Sequence, residues 1–325
     1  MLHQLAHRLA TGALTLLLVT GLVSVLIHLA PGGPLDDSLE SAGLHRLPPA
    51  ARAELERIYH LDQPLYRQYA LWLGDVARGD FGRSLHDRRP VAEKIGERIG
   101  ITVTLNALAL VLMVLFAVPI GAAAAWRPGS WLDRLAATGT YALYAIPVFW
   151  AGLLLQIVFA VHLDWLPLAG LTSDGYEAMG PLQKTADRFG HLVLPVLCLS
   201  YGGVAYLSRF VRATLLDSSS NESAVAARAK GLSVIAVLFR HGFRLAAVPM
   251  LTLAGFLLPA LVGGSVIVET VFSIPGLGRL FVDAAFQRDL PVLLGLTLLS
   301  GAATLAGILV ADLTYVVADP RVRRG

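Results

Sequence analysis

Six stretches of at least 18 residues carry no Asp, Glu, Lys or Arg: Leu9 to Leu35, Ile99 to Trp126, Leu135 to Leu163, Phe189 to Ser208, Leu245 to Val268 and Leu290 to Ala311. There is no seventh. A membrane helix needs about 20 largely apolar residues to cross a hydrocarbon core roughly 30 Å thick, so each run is long enough to span. The expectation is an all-α, polytopic membrane protein with six transmembrane helices, forming a single transmembrane domain over residues 1–325. Only 15% of the residues are charged and the mean hydropathy is +0.64, against about 25% charged in ordinary globular chains. That balance excludes an ordinary cytosolic enzyme. The first run follows Arg8 and has 27 uncharged residues, more than the about 7 to 15 of a signal-peptide core, and reads as an uncleaved helix. The single cysteine, Cys198, lies inside the fourth run, which leaves no intrachain disulfide. The net charge of +3 offers no footing for nucleic acid, and the solvent of the spans is membrane lipid.

Basic residues orient the spans. With both termini in the cytoplasm, segments 1–8, 127–134, 209–244 and 312–325 lie inside and hold twelve Lys or Arg, among them Arg127, Arg134, Arg209 and Arg212. The two short outer loops hold four: Lys184, Arg188, Arg279 and Arg288. The segment Asp36 to Arg98 carries ten basic and eleven acidic residues and exceeds the about 60 residues over which the positive-inside bias is counted. The short loops therefore decide, and they predict cytoplasmic N- and C-termini.

The extracytoplasmic segment 31–98 starts at a Pro31, Gly32, Gly33, Pro34 break that must stop the first helix. Ala50 to Leu61 carries Leu55 and Ile58 at helical spacing. After Pro64, Leu65, Tyr69, Trp72, Leu73 and Val76 recur every three or four residues and mark one apolar face. That helix lies on the outer membrane surface or against other helices, unless the segment is a small soluble cap with no ligand role. Within the runs, Pro119, Pro147, Pro195, Pro249 and Pro259 and the pairs Gly202–Gly203 and Gly263–Gly264 fit close helix packing through small residues or kinks that shape a polar pathway. Thr102, Thr104, Asn106, Tyr141, Tyr144, Gln156, Tyr201 and Tyr206 are the polar groups that could line such a path or bond between helices.

The most informative stretch is the 36-residue loop Arg209 to Arg244. After the polar break Asp217 to Asn221, the run Glu222 to Lys230 is Ala-rich and helix-forming. Gly231 follows, where a helix end calls for positive φ. A second short helical run, Val234 to Phe239, leads through Arg240, His241 and Arg244 to the fifth span. Two short helices joined by a Gly turn make a rigid knob facing the cytosol.

Ala226-Ala227-Arg228-Ala229-Lys230-Gly231-Leu232, with Glu222 before it and His241, Arg244 and Pro249 after it, resembles the ATPase-coupling loop of permease subunits in ATP-binding-cassette importers of the dipeptide, oligopeptide and nickel branch. His28-Leu29-Ala30-Pro31-Gly32, Gly79-Asp80-Phe81-Gly82, Glu269-Thr270-Val271-Phe272, Pro275-Gly276-Leu277-Gly278, Asp312-Leu313-Thr314-Tyr315 and Asp319-Pro320-Arg321-Val322-Arg323 resemble the same family in order along nearly the whole chain. Two positions depart from its pattern. Val225 stands where the general importer loop has Glu and the peptide branch an Arg, and Glu222-Ser223 replaces an acidic-aromatic pair.

The resemblance implies a type I ABC importer transmembrane fold and one half of a pathway in the bacterial cytoplasmic membrane, the other half being a homologous permease. It further implies two cytosolic ABC ATPases, carrying ATP and Mg and docking at residues 209–244, and an extracytoplasmic substrate-binding protein. No GxxxxGK[ST] loop occurs in this chain, so nucleotide phosphates must be held elsewhere. Short peptides are the expected cargo, with nickel complexes and other small solutes as alternatives, and an ion-gradient-driven transporter as the rival class. That rival wants inverted repeats and charged mid-membrane sites, and neither is evident. Of nine histidines only His3 and His7 share helical spacing, which falls short of a four-ligand closed metal site. Ser265 after Gly263-Gly264 has no His at a recognisable spacing, and Asp312 and Glu269 end spans where they can snorkel or pair, so no catalytic set is expected.

Overall fold

The computed structural model describes residues 2–29, 57, 62–219, 221–237, 242–243 and 265–318. It contains α1 (Leu2–Leu29), α2 (Leu65–Val76), α3 (Val91–Trp126), α4 (Trp131–Ala145), α5 (Val148–Leu155, continued by a π-helical turn Gln156–His162), α6 (Pro181–Ser219), α7 (Glu222–Ala229), α8 (Val234–Val237), α9 (Val266–Val271), α10 (Leu277–Phe286) and α11 (Leu290–Ala318). Among the described residues the only β pairing is an isolated bridge between Arg83 and Pro90. Four helices, α1, α3, α6 and α11, are long and apolar enough to cross a membrane, and α4 with α5 makes a fifth if that bent pair is one span. The fifth charge-free run lies outside the described residues except for 265–268, as do His241, Arg244 and, apart from Arg57, the helical stretch expected over Ala50 to Leu61.

The chain forms two compact units, residues 1–100 with 276–305 and residues 101–275 with 306–325. In the first, α2 packs on α1 through the face the periodicity marked. The Tyr69 hydroxyl donates to the Leu17 carbonyl at 2.7 Å and meets Thr20 Oγ1 at 2.7 Å. Trp72 joins Val23, Ile27, Leu85, Leu290 and Leu294 in an apolar cluster. α1 and α11 approach closely at glycines: a Cβ on Gly12 would fall 2.6 Å from Leu305, and one on Gly301 would collide with Leu16. Lipid gives helices no hydrophobic drive toward one another, so small residues and close contact replace it.

The loop before α3 is tied down by charge. Ser84, Lys94 and Asp289 are each at most 7% exposed. The Ser84 hydroxyl donates to Asp289 Oδ2, Leu85 N donates to Asp289 Oδ1 at 3.1 Å, and Lys94 Nζ donates to Ser84 Oγ at 3.1 Å and to Asp87 Oδ2 at 2.7 Å. Burial works against the Asp87 charge, but the Lys94 ammonium and the Arg89 backbone N–H outweigh it and hold the carboxyl below its ordinary value.

In the second unit α3 and α6 meet where Gly121 faces the Ser208 carbonyl, 2.5 Å from where a Cβ would stand, over a core that includes Met113, Ala117, Val211 and Leu215. A second cluster gathers Leu105, Leu194, Cys198, Val268, Phe272 and Ile274. The third charge-free run is not one straight span. α4 and α5 meet at 96° because Pro147 has no N–H and forces the preceding residue out of the helical region; Ile146 sits at φ −81°, ψ 122°. The carbonyl of Ile146 accepts a 2.6 Å hydrogen bond from the Tyr201 hydroxyl on α6. Beyond α5, Gln156 donates from Nε2 to the carbonyls of Leu168 at 2.8 Å and Val271 at 3.1 Å, and Gly170 N–H donates to the Phe272 carbonyl at 2.9 Å.

Candidate functional site

The knob is built from local rules. Its first helix, α7, begins after Asn221 and ends with Lys230 as the last near-helical residue. Gly231 then turns with φ +87°, a conformation that costs an L-residue roughly 1 to 2 kcal/mol and glycine nothing comparable. Two backbone bonds close the end: Gly231 N–H donates to the Arg228 carbonyl at 2.9 Å and Leu232 N–H to the Ala227 carbonyl at 3.3 Å. This pairing satisfies carbonyls that a helix end otherwise leaves orphaned, and it is accompanied by an apolar contact across the turn. Leu232 supplies that contact, packing on Ala224, Ala227 and Val237. Ser233 opens α8, accepting the Ala236 N–H at 3.3 Å. Arg228 reaches back from α7 and donates to the Ser219 carbonyl at 2.8 Å, fastening the knob to the end of α6.

The ten residues expected to couple therefore divide. Ala227 is buried with Ala224, and Leu232 is half-buried, so both build the knob rather than its outer surface. Glu222, Ala226, Arg228, Ala229, Lys230 and Gly231 are exposed. Val225, the position that departs from the importer pattern, is 50% exposed, and Ile235 on α8 is 44% exposed. The accessible face is thus apolar at Val225, Ala226, Ala229 and Ile235, with Glu222, Arg228 and Lys230 as charges. His241 and Arg244 lie outside the described residues.

Several of the groups considered as pathway linings or interhelical partners make structural bonds. Gln156 and Tyr201 satisfy backbone carbonyls around the α4–α5 break, and Asn106 donates to the Thr102 carbonyl at 2.9 Å. Thr102 donates to Glu269 Oε1 at 3.1 Å, and Glu269 is 1% exposed, so this carboxylate pairs rather than snorkels. Ser265 caps α9, accepting the Val268 N–H at 3.4 Å. Tyr141 and Tyr144 lie under the guanidinium of Arg209, 4.7 and 5.5 Å from their ring centres.

Reasoning from sequence missed the ion pair beside them. Arg212 donates bidentately to Asp133, Nε to Oδ1 at 2.6 Å and Nη2 to Oδ2 at 2.8 Å. The two residues are 79 apart in the chain, so no local spacing rule could have joined them. The only available signal was an Asp at the start of a charge-free run. Among the described residues no three His, Cys, Asp or Glu side chains gather as a metal site.

Residues 117–324 match the family described as binding-protein-dependent transport system inner membrane component. The chain belongs to that family. It is a multi-pass membrane protein and a transport subunit, and the family match takes in the whole of 209–244. The stretch before residue 117 is matched by curated relatives. The oligopeptide transport system permease protein AppB of Bacillus subtilis is 38% identical over 94% of this chain and 95% of its own length. The probable peptide ABC transporter permease protein y4tP of Sinorhizobium fredii is 37% identical over 98% of both chains, and the glutathione transport system permease protein GsiC of Escherichia coli K12 is 37% identical over 99% of both.

Proposed function

We propose that this chain is the permease subunit of an ATP-driven ABC importer that carries short peptides inward across the bacterial cytoplasmic membrane. The observation that carries the reading is the near-full-length similarity to proteins named as oligopeptide, peptide and glutathione permeases. A nickel complex or an ion-gradient mechanism has no corresponding support. In this reading the chain contributes six spans in the type I arrangement, both termini in the cytoplasm, and one half of a pathway completed by a second, homologous permease.

Two ABC ATPases, holding ATP and Mg, dock against the exposed face of α7 and α8. Nucleotide-driven closure moves a knob too stiff to absorb the motion, since its turn is closed by two backbone bonds and its core is packed. The push is passed to α6 through Arg228 and the Ser219 carbonyl. ATP then favours one of two helix packings, which is the linkage alternating access requires. An extracytoplasmic binding protein delivers the peptide. A pathway fed in this way needs no tight site of its own, because release must stay fast.

The test is extraction of the tagged chain in mild detergent, mass spectrometry of its partners and ATPase assay of the eluate. A second permease and P-loop ATPases are expected, with peptide on any co-purified binding protein. Recovery of the chain alone in several detergents, without ATP hydrolysis, would sink the importer reading in favour of a self-sufficient transporter.

A further inference from the structure

At the end of α4 and α6 that the basic-residue count places toward the cytosol, a cavity of about 350 Å³ is bordered by Asp133, Arg134, Thr140, Tyr141, Arg209 and Arg212. Three guanidiniums face one carboxylate. Asp133 is engaged bidentately by Arg212, and among the described residues no carboxylate pairs with Arg134 or Arg209. Arg209 is held in place by the faces of Tyr141 and Tyr144, an arrangement that fixes a cation while leaving its N–H groups unspent.

This charged cavity does not end at its polar residues. Through Ile120, Ala124, Ala136 and Thr140 it shares walls with an apolar groove of about 330 Å³. Through Ile120, Leu143 and Val204 that groove shares walls with an apolar cavity of about 480 Å³. From Asp133 to Leu143, α4 rises about 15 Å at 1.5 Å per residue, so the charged and apolar parts are spread along the span rather than stacked at one depth. Trp126 and Trp131, both exposed, stand at the end of α3 and the start of α4, and indoles of this kind mark a membrane–water interface.

We propose that this cleft is a binding site for an anionic phospholipid of the inner leaflet. Its phosphate lies between Arg209 and Arg134, and an acyl chain runs along the α3–α4 groove. Charge decides the head: a net positive pocket at the interface takes a phosphodiester carrying a full negative charge and gains less from a zwitterion. The walls decide the tail. They present almost no free donors or acceptors, so a peptide backbone laid there would have its polar groups buried and unsatisfied, while an acyl chain asks for none. Bound lipid would brace α4 against α6 beside the Asp133–Arg212 pair, at the end of α6 that carries the knob.

The experiment is native mass spectrometry of the full-length chain, with whatever subunits co-purify, titrated with phosphatidylglycerol, phosphatidylcholine or glycerol 3-phosphate. One retained phosphatidylglycerol is expected, with weaker retention of phosphatidylcholine and none of glycerol 3-phosphate. Arg209→Gln should weaken phosphatidylglycerol by about five- to tenfold, the scale of one basic side chain at an anionic headgroup. Ala136→Phe, which fills the groove and leaves the charges, should reduce retention of the same lipid. Equal retention of both lipids, or retention unchanged in both variants, would overturn the site. So would glycerol 3-phosphate binding as tightly as lipid, which would make it a plain anion pocket. A cysteine introduced as Gly139→Cys that cross-links efficiently to the second permease would also overturn it, by making the cleft a subunit interface.

Discussion

The chain interrupts its helices in two contrasting ways, at Gly231 in the knob and at Ile146–Pro147 between α4 and α5. At Gly231 every stabilising partner is within ten residues: the Arg228 and Ala227 carbonyls, the Leu232 contact and the Ser233 cap. At the proline break the partners come from far along the sequence. The Ile146 carbonyl is met by Tyr201, and Gln156 links the continuation of α5 to Leu168 and to Val271, 115 residues away. The first turn is a self-contained device that can be pushed as a body. The second exists only because α6 and α9 are already in place, so its geometry reports on the packing of the spans. A transporter that must move one part rigidly and repack another has use for both.

The contrast can be broken most severely at Gly231. Gly231→Val should lower ATP-driven uptake in reconstituted vesicles by about tenfold or more, since little over 1.4 kcal/mol at the turn suffices, while membrane insertion is unchanged. Gly231→Asn, a residue that tolerates positive φ, should restore most of the activity. Equal uptake in all three proteins would remove the coupling role from the turn.

The second break is tested next by Gln156→Leu, which leaves two carbonyls without their donor. A loss of about 1 to 3 kcal/mol is expected, seen as earlier thermal inactivation in detergent with co-purification of any ATPase subunits unchanged. Tyr201→Phe removes a single bond at the same break and should cost less, about 0.5 to 1.5 kcal/mol. If Tyr201→Phe proved the more damaging of the two, Gln156 would not be the main brace.

The smallest effect is expected at a third kind of tie, the ionic one before α3. The Asp87 carboxyl titrates below its unfolded value. Its contribution is therefore present above the unfolded carboxylate pKa of about 3.9 and disappears as pH falls through the lower folded one. Asp87→Asn should lower stability slightly at neutral pH, a small loss as a partly exposed pair warrants, and converge with the unsubstituted protein on the acid side of that value, where the profile flattens. Thermal melts of the detergent-solubilised protein between neutral and acid pH would show it.

Legibility followed the distance between partners. The helix over Leu65 to Val76 was readable because its apolar face repeats at helical spacing, and the structure returns the same bounds. The choice between lying on the membrane and lying on α1 was not readable, because it rests on Tyr69 meeting Thr20, 49 residues earlier. The knob's two helices and its turn were visible in the order polar break, Ala-rich run, Gly, second helical run, whereas the Ser233 cap was not. Which alanines face outward was not, and Ala227 proves to be core. Pro147 was noted, yet a proline alone does not distinguish a mild kink from a 96° bend; Pro119 and Pro195 sit within continuous helices.

By itself, then, the order of residues determined that this chain lives in a membrane, since charge-free runs of this length have no other stable place, and it determined where short helices stop, since backbone geometry at glycine and at helix ends is a local matter. The tertiary structure alone decided the pairing of Asp133 with Arg212, the burial of Glu269 against Thr102, the right-angle bend of the third run, and the joining of a charged pocket to an apolar groove. Each of these sets side chains tens of residues apart within hydrogen-bonding or van der Waals reach. In a bilayer such partners are chosen by packing and by the need to satisfy every buried polar group, and neither requirement is written at a fixed spacing.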